Sequence, residues 1–266
     1  MRRHFVVCQF LVISVCLSPA YTAEAQDVSY TIRRAETPPA NSTAEELEKT
    51  GDQLRAEEAY LDALDYYQAA LAKKPNYSRL YNKLGIVELQ LQRYKQSRKD
   101  FEKAIKLERT FASTYNNLGA LYSAQKNYGA AIKQYQKAIQ LEPFIATYYA
   151  NMGAAYFAKK DFEHAGVSFG RAMELDPDVM ERHSRAGIST GLRSSEDTAR
   201  YAFVLAKLYA AKGAIDRSLV YLKRAMEEGY KGIEDVYKDS AFAPVRKDPR
   251  FAELMAPKPY PTDSGL

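Results

Sequence analysis

Two short motifs place a serine among residues whose type and spacing could support catalysis. Gly166-Val167-Ser168-Phe169-Gly170 has the spacing of a nucleophile elbow, in which a serine on a sharp strand-to-helix turn attacks a carbonyl. Ser123-Ala124-Gln125-Lys126 has a serine–lysine spacing, in which an amine can activate the hydroxyl. A serine hydrolase that uses Ser168 or Ser123 is therefore a remote hypothesis, and the element on which each serine lies decides it.

Metal, cofactor and nucleic-acid chemistry have few candidate residues. His164 and His183 lie in separate parts of the chain, and both cysteines, Cys8 and Cys16, fall near the N-terminus. The net charge is +5, but lysine and arginine alternate with acidic residues, as on a solvated helix face. We therefore expect no cofactor, no metal site, no small-molecule substrate and no nucleic-acid partner.

The N-terminus has the three-part pattern of an export signal. A basic start at residues 1–4 precedes an apolar run at 5–17, and Ala23 and Ala25 supply the small residues that a signal peptidase reads. The run is shorter than the roughly 20 residues of a membrane span, which favours a signal peptide at 1–25, cleaved between Ala25 and Gln26, over an uncleaved anchor. Lipidation of Cys16 is a further alternative, although the bulky Val15 disfavours it. We expect an exported protein, periplasmic or secreted.

The elements that must position any site follow a period of 34 residues. Small and aromatic residues recur in register through four consecutive units. The columns are Gly51, Gly85, Gly119 and Gly153; Tyr60, Tyr94, Tyr128 and Phe162; Ala63, Ser97, Ala131 and Ala165; Tyr67, Phe101, Tyr135 and Phe169; and Ala70, Ala104, Ala138 and Ala172. Small residues let two helices approach closely, and Pro75, Pro143 and Pro177 stop helix propagation. The pattern predicts helix–turn–helix units that bury their apolar faces by stacking.

This pattern resembles the tetratricopeptide repeat family. The residues that carry the resemblance are Tyr115, Leu118, Gly119, Tyr122, Ala131, Tyr135, Ala138 and Pro143, then Tyr149, Met152, Gly153, Tyr156, Ala165, Phe169, Ala172 and Pro177. Glu88 at an aromatic place, Ser97 for alanine and Arg109 for proline depart from the family pattern. The resemblance implies an all-α fold, a right-handed α-solenoid of helix–turn–helix units with a C-terminal helical cap, and a protein that is not an enzyme.

The same register divides the chain into segments. The expected segments are a signal peptide at 1–25, a flexible tether at 26–41, four units within 42–179 (44–77, 78–111, 112–145 and 146–179), a short helix and loop at 180–198, a degenerate fifth unit at 199–232, a cap at 233–256 and a tail at 257–266. Ser42 to Glu45 predicts a capping box for the first helix. Phe242, Val245, Phe251 and Leu254 are expected to cover the last helix pair.

The family resemblance also implies a binding surface, because the first helix of each unit lines a concave groove in tetratricopeptide proteins. The expected groove residues are Asn82, Ile86, Leu89, Asn116, Asn117, Ala120, Ser123, Asn151, Ala154, Phe157, Phe203 and Lys207. Asn117 and Asn151 look like rungs of an asparagine ladder that holds a peptide backbone, and we expect both side chains to point away from the helix contacts. Burial under a neighbouring helix or the cap is the alternative for the apolar members, above all Phe157.

These expectations lead to one main hypothesis and one alternative. The main hypothesis is a non-catalytic protein–protein interaction scaffold of the cell envelope that binds a protein segment in the groove. The alternative is a membrane-associated assembly factor for pilus or outer-membrane machinery.

Overall fold

The computed structural model describes residues 37–185 and 194–256, and the side chains of residues 183–185 lie outside this description. The helices are α1 (Ala44–Ala56), α2 (Tyr60–Lys73), α3 (Ser78–Gln90), α4 (Tyr94–Leu107), α5 (Ala112–Ala124), α6 (Tyr128–Leu141), α7 (Ala146–Ala158), α8 (Phe162–Leu175), α9 (Val179–Arg185), α10 (Ser195–Ala211), α11 (Ile215–Glu227), α12 (Asp235–Lys238) and α13 (Pro249–Met255), with 3-10 turns at Ser240–Phe242 and Val245–Lys247. The predicted all-α fold of stacked helix pairs is confirmed, and the described residues contain no strand.

The turn inside each helix pair repeats the same backbone geometry. Glu58, Gln92, Lys126 and Lys160 adopt positive φ angles near 60°, as does Gly213 between α10 and α11. The next residue then donates its N–H to a carbonyl five residues back, in the Schellman arrangement that closes a helix C-terminus; the pairs are Ala59 to Leu54, Arg93 to Glu88, Asn127 to Tyr122, Asp161 to Tyr156 and Ala214 to Tyr209. All five pairs therefore turn in the same way.

The capping box of α1 lies one residue later in the chain than the predicted box at Ser42 to Glu45. Thr43, not Ser42, is the N-cap residue, and its hydroxyl accepts from the backbone N–H of Glu46 at 3.2 Å. The Glu46 carboxylate accepts in return from the N–H of Thr43 at 2.7 Å. The Thr43–Glu46 pair completes the box because Ser42 lies one residue before the N-cap position.

The glycine column marks the closest contact within each pair. A Cβ atom added to Gly51, Gly85, Gly119 or Gly153 would lie 2.5–2.6 Å from the nearest atom of the aromatic ring on the second helix of the same unit. Carbon atoms in contact normally lie about 3.5–4.0 Å apart, so only glycine leaves room for that ring. The four rings are almost completely buried and form the centre of each unit.

The pair α10–α11 keeps this packing with different residues. The Ser218 hydroxyl donates to the Ala206 carbonyl at 2.8 Å, as the Ser97 hydroxyl donates to the Gly85 carbonyl at 2.7 Å in the second unit. Alanine now stands at the glycine place, and Leu222 stands at the aromatic place. The Cβ atom of Ala206 is therefore accommodated because Leu222 is smaller than the aromatic residue of the other units.

The orientation of α10 breaks the regular stacking. The Arg200 guanidinium lies 4.7 Å from the ring of Phe162, and the Lys212 ammonium lies 4.0 Å from the carboxylate of Glu174. These contacts follow the same order along both helices, so α10 lies parallel to α8. In the regular units, short turns make each first helix antiparallel to the preceding second helix. The short helix α9 lies between α8 and α10 in the chain.

The C-terminal segment packs on the last helix pair. Phe242, Val245 and Phe251 are buried in one cluster with residues of α10 and α11, and Leu254 packs partly buried against it. The Arg246 guanidinium holds the segment together, because it donates to the carbonyl oxygens of Val236 and Asp239, both at 2.8 Å. The predicted tail at 257–266, residues 186–193 of the predicted helix and loop at 180–198, residues 26–36 of the predicted tether, and the signal peptide with Cys16 and Ala25 lie outside the described residues. The same holds for Gln26, the predicted first residue after cleavage.

Candidate binding surface

A ladder of side-chain hydrogen bonds connects α1, α3, α5 and α7. Each rung joins two residues that are 35 positions apart, one more than the repeat length of 34. The donor is therefore at the sixth position of its unit, and the acceptor is at the fifth position of the unit before. The rungs are Lys83 Nζ to Glu48 Oε1 at 2.6 Å, Asn117 Nδ2 to Asn82 Oδ1 at 3.0 Å, and Asn151 Nδ2 to Asn116 Oδ1 at 2.7 Å. The first helices of the four units are thus held in register by their own side chains.

Two of the rungs are themselves connected. Asn116 Nδ2 donates to Asn117 Oδ1 at 3.3 Å, so a continuous chain of amides runs from Asn151 to Asn82. The expectation that Asn117 and Asn151 point away from the helix contacts is wrong, because each side chain donates a hydrogen bond to an asparagine on the first helix of the preceding unit. Each amide nitrogen carries a second proton, but Asn82, Asn116 and Asn151 are buried, and only Asn117 is partly exposed.

The N-terminal end of the ladder is ionic. Lys83 Nζ also contacts Asp52 Oδ2 at 2.6 Å, and the Tyr67 hydroxyl donates to Asp52 Oδ1 at 2.7 Å. Burial, followed by the hydrogen bond to Asp52, raises the pKa of Tyr67. The carboxylates of Glu48 and Asp52 are balanced by two cations, Lys83 and Arg55, of which Arg55 lies 4.0 Å from Asp52, so this end of the surface offers little uncompensated charge.

Beside the amides lie uncharged side chains that are only partly buried. Ile86 and Leu89 of α3 pack against the cluster around Phe101, and Ala120 of α5 is likewise half-buried. Ser123, near the end of α5, lies 3.2 Å from the hydroxyl of Tyr135. We call Ile86, Leu89, Ala120, Ser123 and the amide chain the ladder surface.

The remaining predicted groove residues do not join the ladder surface. Phe157 is 2% exposed and makes edge contacts with Phe162 and Tyr201, at 5.1 and 5.5 Å between ring centroids. Ala154 is buried in the same cluster. Phe157 is therefore a core residue, because α10 covers the end of α7.

Phe203 and Lys207 belong to the C-terminal packing. The Phe203 ring is 7% exposed and stacks on Tyr230 at 4.4 Å and against Phe242 at 5.5 Å. Lys207 Nζ pairs with Asp239 at 2.5 Å. The expectation that Phe203 is open in the groove is wrong, since the C-terminal segment covers most of its ring; the small exposed part lines a cleft between α8 and α10.

The two serine motifs do not form catalytic sites. Ser168 lies in the middle of α8, is 4% exposed and donates its hydroxyl proton to the His164 carbonyl at 2.7 Å. A buried hydroxyl bonded to its own helix has neither the sharp turn nor the base that a nucleophile elbow requires. Among the described residues, the Ser123 hydroxyl hydrogen-bonds to Tyr135 and not to the Lys126 amine that the motif requires. Burial raises the pKa of Tyr135 to about 12, so its phenol does not supply a base near neutral pH.

His164 joins no metal-ligand cluster in the described residues, and the side chain of His183 lies outside them. His164 Nδ1 contacts Asp161 at 2.8 Å, and its ring stacks on Tyr156 at 5.1 Å. The described part of the chain contains no group of three or more histidine, cysteine, aspartate or glutamate residues that could hold a metal ion. Within residues 37–185 and 194–256, no helix combines the length and the apolar character needed to cross a bilayer.

The repeat geometry agrees with the comparisons to known protein families. Residues 112–144 and 146–179 match models described as tetratricopeptide repeat, and residues 85–126 match a model described as TPR repeat. The described fold is a tetratricopeptide repeat array. No curated protein sequence is significantly similar to the chain.

Several solved structures are similar to the chain. The tetratricopeptide protein TTC0263 of Thermus thermophilus is 19% identical, covers 80% of this chain and 98% of its own, and superposes with a TM-score of 0.51. MamA from residue 41 to its end, from Desulfovibrio magneticus RS-1, is 17% identical over 76% of this chain and 100% of its own, with a TM-score of 0.49. YrrB, described as a TPR protein with an unusual peptide-binding site, is 18% identical over 73% and 91%, with a TM-score of 0.46. At this identity, the likeness to the Thermus protein concerns the fold alone.

Proposed function

We propose that this protein is an exported, non-catalytic scaffold of the cell envelope that binds a segment of another protein on the ladder surface. Tetratricopeptide arrays are protein-binding scaffolds, which gives the class of function. The observation that carries the proposal is the amide chain across α3, α5 and α7, which fixes the spacing of three helices before any partner arrives. A preorganised surface loses less conformational entropy on binding.

The composition of the ladder surface fits a peptide segment. Ile86 and Leu89 provide partly exposed apolar area, and Ala120 is small enough for a partner backbone to come close. Asn117 is half-buried, and its second amide proton can be donated to a peptide carbonyl without regard to the partner's sequence. Residues 1–25 support the export part of the proposal through their basic, apolar and small-residue pattern.

Photo-crosslinking tests the surface directly. A benzoylphenylalanine introduced at Ala120 is expected to crosslink a partner in envelope extract, and the same residue at Lys133 serves as the control because Lys133 is exposed on the second helix of the same unit. Specific adducts from position 120 and none from position 133 support the proposal. Equal adduct patterns from both positions would refute it.

Intact-mass measurement tests the location. The mature protein is expected in the envelope fraction with Gln26 as its first residue. A retained N-terminus or a lipid on Cys16 would instead favour the membrane-associated assembly factor.

A further inference from the structure

A second surface lies outside the ladder surface, in a cleft between the parallel helices α8 and α10. The cleft has a volume of about 870 Å³ and is lined mainly by apolar surface, together with charged residues of both signs, among them Glu163, Glu174 and Arg200. Its α8 wall includes Gly166, Val167 and Gly170, and its α10 wall includes Val204 and Leu208. A space of this size is within the usual range for a binding pocket.

The α8 wall differs from the same face of the earlier second helices. The residues equivalent to Val167 are charged and exposed; they are Asp65, Lys99 and Lys133. The residues equivalent to Gly170 are polar or charged; they are Gln68, Glu102 and Gln136. In α8 these two positions carry the uncharged residues Val167 and Gly170, and Val167 is 69% exposed. Contact with α10 alone does not account for the valine, because α10 leaves most of it uncovered.

The two glycines leave room above α8. A Cβ atom added to Gly166 would meet no atom within 4 Å, and one added to Gly170 would meet Leu208 at 3.7 Å. The cleft is therefore open along about one turn of α8 and can admit side chains from outside.

One cation at the rim is held in place but weakly neutralised. The Arg200 guanidinium lies over two rings, 4.7 Å from the centroid of Phe162 and 5.8 Å from that of Tyr230. Its ion pair with Glu196 is long, at 3.9 Å, and the Glu196 side chain is 73% exposed. An exposed pair at this distance contributes little, so Arg200 is available to a carboxylate that approaches along the cleft.

We propose that this cleft binds an amphipathic helix of a partner protein, with aliphatic side chains against Val167 and Leu208 and an acidic residue opposite Arg200. Both walls are α-helices whose backbone groups are bonded internally, so the cleft offers no ladder of donors and acceptors to an extended chain. A helix satisfies its own backbone and can bury an apolar face between two ridges. The proposal is independent of the ladder surface.

A library of displayed helices tests the proposal even though the partner is unidentified. The full chain is the bait for phage-displayed 14-residue helices with one randomised face, and the selected peptides are then measured by fluorescence anisotropy. We expect aliphatic residues on that face and an aspartate or glutamate at one fixed place. Gly166→Leu is expected to weaken binding at least tenfold, because its side chain fills the cleft. Gly129→Leu is the matched control: Gly129 is also helical, with no atom within 4 Å of its added Cβ, and binding should stay within twofold.

The role of Arg200 has its own comparison. Arg200→Gln is expected to weaken the acidic peptide about fivefold to tenfold and to leave its acid-to-glutamine counterpart unchanged. Selected peptides that bind Gly166→Leu as well as the unmodified protein would overturn the proposal, as would peptides that bind without helical structure. A dimer of the chain that Gly166→Leu converts to a monomer would also overturn it, because a second copy would then be the occupant.

Discussion

The contact between Gly85 and Phe101 makes a quantitative prediction about the repeat. A Cβ atom at Gly85 would lie 2.5 Å from Cε1 and 2.6 Å from Cδ1 of the Phe101 ring, about 1 Å closer than carbon atoms in contact. Overpacking of this kind costs about 1–3 kcal/mol, and alanine returns up to about 1 kcal/mol as the better helix former. We therefore expect Gly85→Ala to lower the free energy of unfolding by roughly 1–2 kcal/mol.

The fifth pair suggests the compensating change. It carries Ala206 and Leu222 where the second unit has Gly85 and Phe101, and both pairs keep the serine-to-carbonyl hydrogen bond. Phe101→Leu alone should cost about 1–2 kcal/mol, since it leaves a small cavity. In the double variant, the shorter leucine makes room for the new methyl group. We expect the double variant to be at least about 1 kcal/mol more stable than the sum of the two single losses.

Urea unfolding followed by circular dichroism measures all four proteins of this cycle. Hydrogen exchange in α3 and α4 localises the change, because units of a repeat array can open separately. Gly129→Ala is the matched control, and it should not destabilise, since its added Cβ meets no atom within 4 Å. If the two single losses add to within about 0.5 kcal/mol, the close approach of Gly85 to Phe101 does not limit packing, and the explanation of the glycine column fails.

Three further predictions follow from other contacts. Asn117→Ala and Asn151→Ala should each cost about 1 kcal/mol in urea unfolding through loss of a rung, whereas Ser113→Ala on α5 should stay within about 0.5 kcal/mol. Burial raises the pKa of Asp100 to about 6 against 3.8 for the free group, so its protonated form favours folding and stability falls as pH rises from about 4 to 6. Asp100→Asn should therefore match the natural protein at pH 4 and exceed it by about 1–3 kcal/mol at pH 7 in parallel urea titrations; a constant difference would contradict this reasoning. Arg246→Met should cost about 2 kcal/mol and speed hydrogen exchange in α13, and unchanged exchange would show that its two carbonyl contacts are not needed.

The sequence predicts the interior of each unit because the contacts that build it are local. Gly119 and Tyr135, for example, lie on adjacent helices of one unit. Their residue types alone indicate that one helix has no side chain at the contact and that the aromatic ring of the other fills the space. The cross-unit ladder is also accessible from the sequence. Lys83 with Glu48 and Asn117 with Asn82 are donor–acceptor pairs at a spacing of 35, one more than the repeat. A comparison of equivalent places at a spacing of 34 misses these pairs, and it therefore assigns the asparagines to a partner.

The burial of residues in the last units cannot be predicted from the repeat pattern in the same way. Whether Phe157 and Phe203 face solvent depends on which helix lies beyond them, and α10 runs parallel to α8 where the repeat predicts an antiparallel helix. No residue pattern in the regular units specifies that reversal. The cleft between α8 and α10 has the same origin, and its only sign in the sequence is the change to valine and glycine on the outer face of α8.

The ladder also bears on how such an array can change in length. The unit at 112–145 carries an acceptor, Asn116, and a donor, Asn117, at the two places that form a rung. If a recombination event duplicated this segment in tandem, Asn117 of the second copy would face Asn116 of the first, and the new junction would gain its rung without any further mutation. The junction after α8 lacks this property, because the next complete pair runs in the other direction. Gain and loss of units is therefore expected to be tolerated inside the array and selected against at its C-terminal boundary.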